Sequence, residues 1–269
     1  MFPAGVLLAA DFDGTIAPIV AAPADAFIDP AAERFLERCA SLPSVAVAII
    51  SGRDVDDVRR RIGGLRAIVA GSHGLECVDS AGLPVWTTDQ PFPDLPSSMV
   101  RDLLRCDIRI ERKKFSVAIH FRGSAAAAPD IRQASSVVTG WAEEHNLDVI
   151  SGRQVVEIRV RGGGKRAALR AIAGRLGARR IIFAGDDITD FPALAFAAAN
   201  GRAIFVESAE RTPPDIPGLW RVSGVEDLCS ALTRQLLEDV PETAHVLGVG
   251  DRPAPIPPSA AARPRRPSP

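Results

Sequence analysis

Short apolar runs, each beside a stretch with helical spacing, recur along the chain. Val6 to Phe12 is the first run and Val45 to Ile50 the second. Ala31 to Ser41 precedes the second with an amphipathic pattern, Val55 to Ile62 follows it, and Ala67 to Ala70 is a short third run. Arg180 to Ala184 and Ala203 to Val206 repeat the theme beside helical patterns at Arg166 to Leu176 and Phe191 to Ala199. Short unbroken apolar runs predict strands buried on both faces. Strands alternating with helices predict an α/β fold, a Rossmann-like parallel sheet with helices on both faces. Ligands of such sheets sit at the carboxyl ends of the strands, where strand order reverses. Chemistry is therefore sought directly after each run.

The middle of the chain follows another rhythm. Val117, Ile119 and Phe121 alternate with Ser116, Ala118, His120 and Arg122, and Val156, Ile158 and Val160 alternate with Glu157, Arg159 and Arg161. Alternation predicts a sheet with one apolar and one polar face. Ile131, Ala134, Val138, Trp141 and His145 have helical spacing and can cover the apolar face. The polar face, with His120, Arg122, Glu157 and Arg159, is left for solvent or ligand. The organisation expected is a parallel-sheet core over 1–78 and 160–240, an inserted α+β module over 79–159, and a Pro/Ala/Arg-rich disordered tail over 241–269.

The global composition narrows the function. The formal net charge is -1 and aromatic residues make up 5%, so neither a basic footprint nor stacking platforms for nucleic acid are present. The first apolar run stops at Asp11, too early for a signal peptide, and no run approaches the ~20 residues of a membrane span. A cytoplasmic protein, a monomer, is expected. Cys39, Cys77, Cys106 and Cys229 show no metal-binding or disulfide spacing and read as reduced thiols.

Four segments carry candidate chemistry. Asp11-Phe12-Asp13-Gly14-Thr15 follows the first run. One carboxylate can attack phosphorus and the other, two residues on, can move a proton at the leaving oxygen. Gly14 permits a sharp turn close to an anion. Ser51-Gly52-Arg53 follows the second run and offers a hydroxyl and backbone N–H groups to an anion; as a helix cap it would need no ligand, and the same tripeptide recurs at Ser151 to Arg153. Gly185-Asp186-Asp187-Ile188-Thr189-Asp190 clusters oxygen donors suited to a hard cation such as Mg²⁺. Lys165, after three glycines, can neutralise phosphate or carboxylate charge, although Arg166 excludes a P-loop.

Taken in order, these segments resemble the haloacid dehalogenase superfamily of phosphohydrolases, and the insert resembles that superfamily's cap. Gly71-Ser72-His73-Gly74-Leu75-Glu76, Glu111 to Ser116, His120-Phe121-Arg122 and Val156 to Arg159 resemble the motifs of trehalose-6-phosphate phosphatases. That family usually has Asp before the lysine, Gly after it and Glu closing the last motif, where this chain has Gly164, Arg166 and Phe191. The resemblance implies a Mg²⁺-dependent phosphatase acting on a small sugar phosphate, trehalose 6-phosphate first among them, through an aspartyl-phosphate. It implies Asp11 as nucleophile, Asp13 as acid and base, and Ser51 and Lys165 on the phosphoryl oxygens. It places the metal on Asp11, Asp13, Asp186 and Asp187, with Asp190 ligating directly or through a neighbour. Gly52, Arg53, His73, Glu111, Lys113, His120, Arg122, Glu157 and Arg159 fall on the substrate. For the polar cap residues, a salt-bridged sheet surface stays open as the other reading. Hinges are expected at Val78 to Gly82 and Arg161 to Gly164. A phosphatase or mutase for another sugar phosphate, or a non-catalytic sugar-phosphate sensor, are the alternatives.

Overall fold

Val6–Ala10 (β1) lies at the middle of an eight-stranded sheet, and all five of its residues are buried. It pairs in parallel with Val45–Ile50 (β2) on one side and with Arg180–Gly185 (β10) on the other. The sheet continues past β2 through Ile68–Gly71 (β3), Glu76–Val78 (β4) and Pro84–Thr87 (β5), and past β10 through Gly201–Val206 (β11) and Trp220–Val222 (β12). Strand order thus reverses at β1, so the crevice where ligands gather is framed by residues that follow β1, β2 and β10. The computed structural model describes residues 5–20, 22–121, 128–152, 154–208 and 211–247.

The two faces of β1 seed two cores. Leu7 and Ala9 join Ala168, Leu169 and Ile172 of Lys165–Leu176 (α5) and Ala193, Leu194 and Ala197 of Phe191–Asn200 (α6). Val6, Leu8 and Ala10 face the other way, onto Phe35 and Leu36 of Pro30–Ala40 (α1), Val58 of Val55–Arg61 (α2) and Leu232 of Val225–Asp239 (α7). Strands apolar on both sides need helices on both sides, which is the layering that the unbroken runs predict.

The insert is a four-stranded antiparallel sheet. Its spatial order is Arg109–Arg112 (β6), Ser116–His120 (β7), Val155–Arg159 (β9) and Asp148–Gly152 (β8). Val117, Ile119, Val156 and Ile158 pack against Met99 and Leu103 of Ser97–Arg105 (α3) and Val138 and Trp141 of Ala128–Glu144 (α4). The β7–β9 register sets Ser116 opposite Arg159 and Ala118 opposite Glu157, on the polar face.

Three expectations are corrected. The strand Pro84–Thr87 belongs to the core sheet through its pairing with β4, so the inserted module begins after Thr87 rather than at residue 79. Asp79 to Gly82 is then a tight turn closed by Gly82 N–H to the Asp79 carbonyl, within one sheet, and not a hinge between modules. The chain is also ordered beyond Pro241. Ala244–Leu247 (α8) follows a 3₁₀ turn, Thr243 and Leu247 are buried, and Arg38 donates to the Leu247 carbonyl. The remaining tail, from 248 on, lies outside the described residues. No described helix is long and apolar enough to cross a membrane.

Candidate active site

Asp11 is the first residue after β1, Ser51 the first after β2 and Asp186 the first after β10. Parallel pairing brings all three to one edge of the sheet, although the chain separates them widely. Gly14 makes the closest approach possible. Its φ is +77°, and a Cβ there would lie 2.2 Å from Asp186 Oδ2. Only a residue without a side chain lets the Asp186 carboxylate pack over this turn. Thr15, fully buried, donates its hydroxyl to Asp186 Oδ1 at 3.2 Å.

Lys165, at the start of α5, is buried and makes two ion pairs, with Asp11 Oδ1 and with Asp190 Oδ1, each at 2.8 Å. Burial opposes its charge, but the two carboxylates outweigh that and raise its pKa. Asp11, Asp186 and Asp190 offer oxygens that all lie within 4.8 Å of one another. Burial holds the Asp11 carboxyl well above the usual range, against the pull of Lys165 and with Asp190 and Asp186 adding to it. Burial, then Asp190, pushes Asp186 up to about 7. Fully ionised, three buried carboxylates against one ammonium would leave two negative charges in excess. A divalent cation would relieve that excess, and an all-oxygen donor set suits a hard one. Asp190 Oδ1 accepts no hydrogen bond among the described residues, and only the lysine ammonium compensates it. These residues fit such an ion.

Asp187, expected beside the metal, is not part of this group. Its carboxylate turns to Arg211 Nε at 2.6 Å. Asp190 stands in the cluster instead, because the 3₁₀ turn Ile188–Asp190 folds it back: its Oδ2 accepts the backbone N–H of Asp186 and of Asp187. Asp13 likewise points its side chain elsewhere. Arg53 Nε and Nη2 each donate to it at 2.7 Å, a bidentate clasp, while Nη1 donates to Asp57 at 2.8 Å. Arg53, expected on the substrate, therefore holds the proposed acid in this conformation. Burial would raise the Asp57 carboxyl, but hydrogen bonds from Arg61 and Arg53 bring it down to about 2.

Ser51 is buried, and its hydroxyl accepts the Arg53 N–H at 3.1 Å. Gly52 leaves room for His73: a Cβ at Gly52 would sit 2.7 Å from His73 Nε2. Ser72, His73 and Gly74 all have positive φ, 52°, 56° and 91°. Gly74 takes this backbone freely, but Ser72 and His73 are strained in it, and such strain collects at functional sites. His73 N–H donates to the Ser51 carbonyl and its own carbonyl accepts from Gly164 N–H, so the segment ties the loop after β2 to the entrance of α5. Burial lowers the His73 pKa well below its usual value, helped by Arg159, Lys165 and Lys113. Cap and core groups thus act on one imidazole.

On the polar face of the cap the expected residues are present and paired with one another. His120 Nε2 lies 2.8 Å from Glu111 Oε2, Lys113 Nζ lies 3.3 Å from Glu157 Oε1, and Ser116 donates to Glu157 at 2.6 Å. Arg159 reaches Asp148 at 3.6 Å. Arg122 lies outside the described residues. A bridge between the modules was not foreseen: Lys114 Nζ lies 2.7 Å from Glu76 Oε2, and Glu76 Oε1 accepts from Val55 N–H and the Ser72 hydroxyl. The Glu76 and Lys114 positions lay inside quoted motifs, but only contact across the fold reveals their partnership.

A parallel sheet reversing at β1, a cap inserted after β5 and carboxylates converging beside a buried lysine define a protein with the fold of haloacid dehalogenase-like hydrolases. A crystal structure of such a hydrolase from Bacteroides thetaiotaomicron superposes with a TM-score of 0.62 at 13% identity, over 85% of this chain and 98% of that one. The family model for trehalose-phosphatase matches residues 9–208, and the chain belongs to that family. The trehalose-phosphate phosphatase of Mycobacterium marinum is 32% identical over 241 residues, 84% of this chain. The C-terminal domain of C. albicans trehalose-6-phosphate phosphatase has a similar fold, with a TM-score of 0.66 at 18% identity over 91% of this chain and 92% of that one. An uncharacterized glycosyl hydrolase of Mycobacterium tuberculosis is 34% identical over 250 residues, 87% of this chain and 18% of that one. The chain spans 61% of the length of the curated phosphatases it matches.

Proposed function

We propose that this chain is a phosphatase that releases phosphate from a sugar phosphate, trehalose 6-phosphate first among candidates, through an aspartyl-phosphate on Asp11. One observation carries the reading: Lys165 bridges Asp11 and Asp190 at 2.8 Å each while Asp186 stays within reach of both. Family membership supports the sugar phosphate, and the polar cap face supports a ligand rich in hydroxyls.

In this mechanism an Asp11 carboxylate oxygen attacks phosphorus and the sugar oxygen leaves. Lys165 pulls the Asp11 carboxyl toward its charged form against the larger effect of burial, and it faces the negative charge of the transferring phosphoryl group, where position and charge stabilisation account for most of the rate. The Ser51 hydroxyl and the N–H groups after β1 and β2 orient the phosphoryl oxygens. Asp13 gives its proton to the leaving oxygen, then takes one from the water that opens the acyl phosphate. For that, Asp13 must leave the Arg53 clasp, which makes Arg53 the group that holds it between turnovers. A divalent cation, Mg²⁺ by family, would be held by Asp11, Asp186 and Asp190, and supplies charge neutralisation at the phosphoryl oxygens when bound. Glu111, Lys113, Glu157 and Arg159 meet the sugar as the cap closes and their mutual pairs open.

A phosphate-release screen over a panel of sugar phosphates tests the reading. Turnover of trehalose 6-phosphate that needs Mg²⁺ and disappears in Asp11→Asn is expected. Release of an isomerised sugar phosphate instead of inorganic phosphate points to a mutase. Binding without turnover in the wild-type chain overturns the catalytic account.

A further inference from the structure

The turn that joins β6 to β7 in the cap sends three successive side chains in three directions. Lys113 turns to Glu157 on the polar face, with Nζ 3.3 Å from Oε1. Lys114 crosses to the core, with Nζ 2.7 Å from Glu76 Oε2. Phe115 is buried in a small apolar cluster with Leu75 of the core and Val160, the residue after β9. Lys113 N–H donates to the Ser116 carbonyl, and Val160 N–H donates to the Phe115 carbonyl. The place of Lys113 relative to the core is therefore set at Leu75 and Glu76.

The other oxygen of Glu76 reaches the phosphate side of the site. Oε1 accepts the N–H of Val55, where α2 begins, and the Ser72 hydroxyl, each at 3.0 Å. Val55 ends the loop that carries Ser51 and Arg53. Ser72 precedes His73, whose ring lies against Gly52. Ser72 N–H to the Arg53 carbonyl and His73 N–H to the Ser51 carbonyl knit these segments together. One buried carboxylate thus touches the loop after β2, the strained turn and the cap. Stability alone does not account for it. An apolar replacement for a buried charge is often neutral or stabilising, and a bridge whose lysine is more than half exposed contributes little. A carboxylate here supplies directed bonds to three segments at once, and fixing register is the best-attested use of a buried ion pair.

We propose that Glu76 is a positioning residue for the phosphatase reaction: its bridge to Lys114 seats the cap turn on the core, so that Lys113 and Glu157 meet the sugar while Ser51 and Lys165 hold its phosphate. The proposal rests on the phosphatase reading. Glu76 acts through these groups and is not itself on the substrate; it sets the distance between the sugar side and the phosphate side.

Glu76→Gln and Lys114→Met each break the bridge in the full chain. Gln keeps an oxygen for Val55 N–H and the Ser72 hydroxyl, and a melting curve establishes that each variant is folded. Hydrolysis of trehalose 6-phosphate is compared with that of p-nitrophenyl phosphate, which offers the cap no sugar hydroxyls. KM for trehalose 6-phosphate is expected to rise about threefold to fivefold in either variant, the reach of a bridge exposed on one side, with kcat held. The double variant should be no worse than either single one, because both remove the same interaction. Lys114→Arg keeps a cation on Glu76 and should keep the low KM. Lys114→Met should leave both constants for p-nitrophenyl phosphate at their wild-type values. An unchanged KM, an equal loss on both esters or additive effects overturn the proposal. Amide hydrogen exchange at Lys113 and Val160 gives a second readout that needs no substrate: faster exchange is expected in both single variants. Unchanged exchange overturns the proposal even in an inactive chain. Faster exchange in a chain that hydrolyses neither ester upholds the clasp and refutes the phosphatase reading alone.

Discussion

Replacing Lys165 with Met separates charge from packing. The substitution keeps most of the apolar stem and removes the ammonium that faces Asp11 and Asp190 at 2.8 Å. Lys165 is 4% exposed, so solvent cannot take its place. Breaking a buried pair by removing one partner costs about 3–5 kcal/mol. Here the orphans are three crowded carboxylates, so the cost falls on their charge and must depend on pH. The Asp186 carboxyl is already raised from 3.8 to about 7 with the lysine present. A carboxyl raised in the folded state binds its proton there before it does so in the unfolded chain. Its folded form therefore gains stability as pH falls through the folded value toward the unfolded one, by up to about 1.4 kcal/mol per unit per proton. Urea unfolding of Lys165→Met is expected to show most of the loss at about pH 8 in chelator and partial recovery toward about pH 6. Millimolar Mg²⁺ at the higher pH should also restore stability, because an ion that binds only the folded chain stabilises it by mass action. A loss that is the same at every pH and blind to Mg²⁺ would refute the reasoning and reduce Lys165 to a packing residue.

Gly14→Ala places a Cβ on the Asp186 carboxylate at a positive φ; a stability loss of about 1–3 kcal/mol and a fall in kcat/KM of an order of magnitude or more are expected, measured by thermal melting and phosphate release. His73→Asn keeps a residue that tolerates left-handed backbone. Because burial lowers the His73 pKa, the unfolded chain takes up a proton first as pH falls below 6.5. Wild-type stability should drop there by up to about 1.4 kcal/mol per unit and the Asn variant's should drop less; parallel curves would contradict the shift. At the junction between modules, Lys114 is 57% exposed while Glu76 is 8% exposed, so Lys114→Ala should cost under about 1 kcal/mol. Glu76→Ala strands the Val55 N–H and the Ser72 hydroxyl and should cost about 2–3 kcal/mol, as read from urea midpoints. Arg53→Ala removes the clasp that Asp13 must leave in order to act, so kcat should hold or rise while KM changes little; a rise in KM alone would return Arg53 to substrate binding.

The core was legible because its strands are unbroken apolar runs, and nothing but a two-sided parallel sheet buries them. β2 was read to the residue, and β1, β10 and β11 within two residues at each end. Glu76–Val78 and Pro84–Thr87 were not read, since strands of only three and four residues, the second of them a half-exposed edge strand, leave no periodicity to count. That omission misplaced the start of the cap. The carboxylate cluster was legible as motif, yet which aspartate joined it was not. Asp187 and Asp190 look alike in sequence, and the 3₁₀ turn and Arg211 decide between them. Arg53 was read as a ligand because Asp13 lies forty positions away; nothing local signals that clasp.

The account stands on Asp11 as the attacking group. Trehalose 6-phosphate radiolabelled on phosphorus, mixed with the wild-type chain and quenched in acid within milliseconds, tests it most directly. Label is expected on the protein, released by hydroxylamine and mapped to the peptide that contains Asp11, with none in Asp11→Asn. Free phosphate formed by the wild-type chain with no label on the protein, or label on another residue, would contradict it.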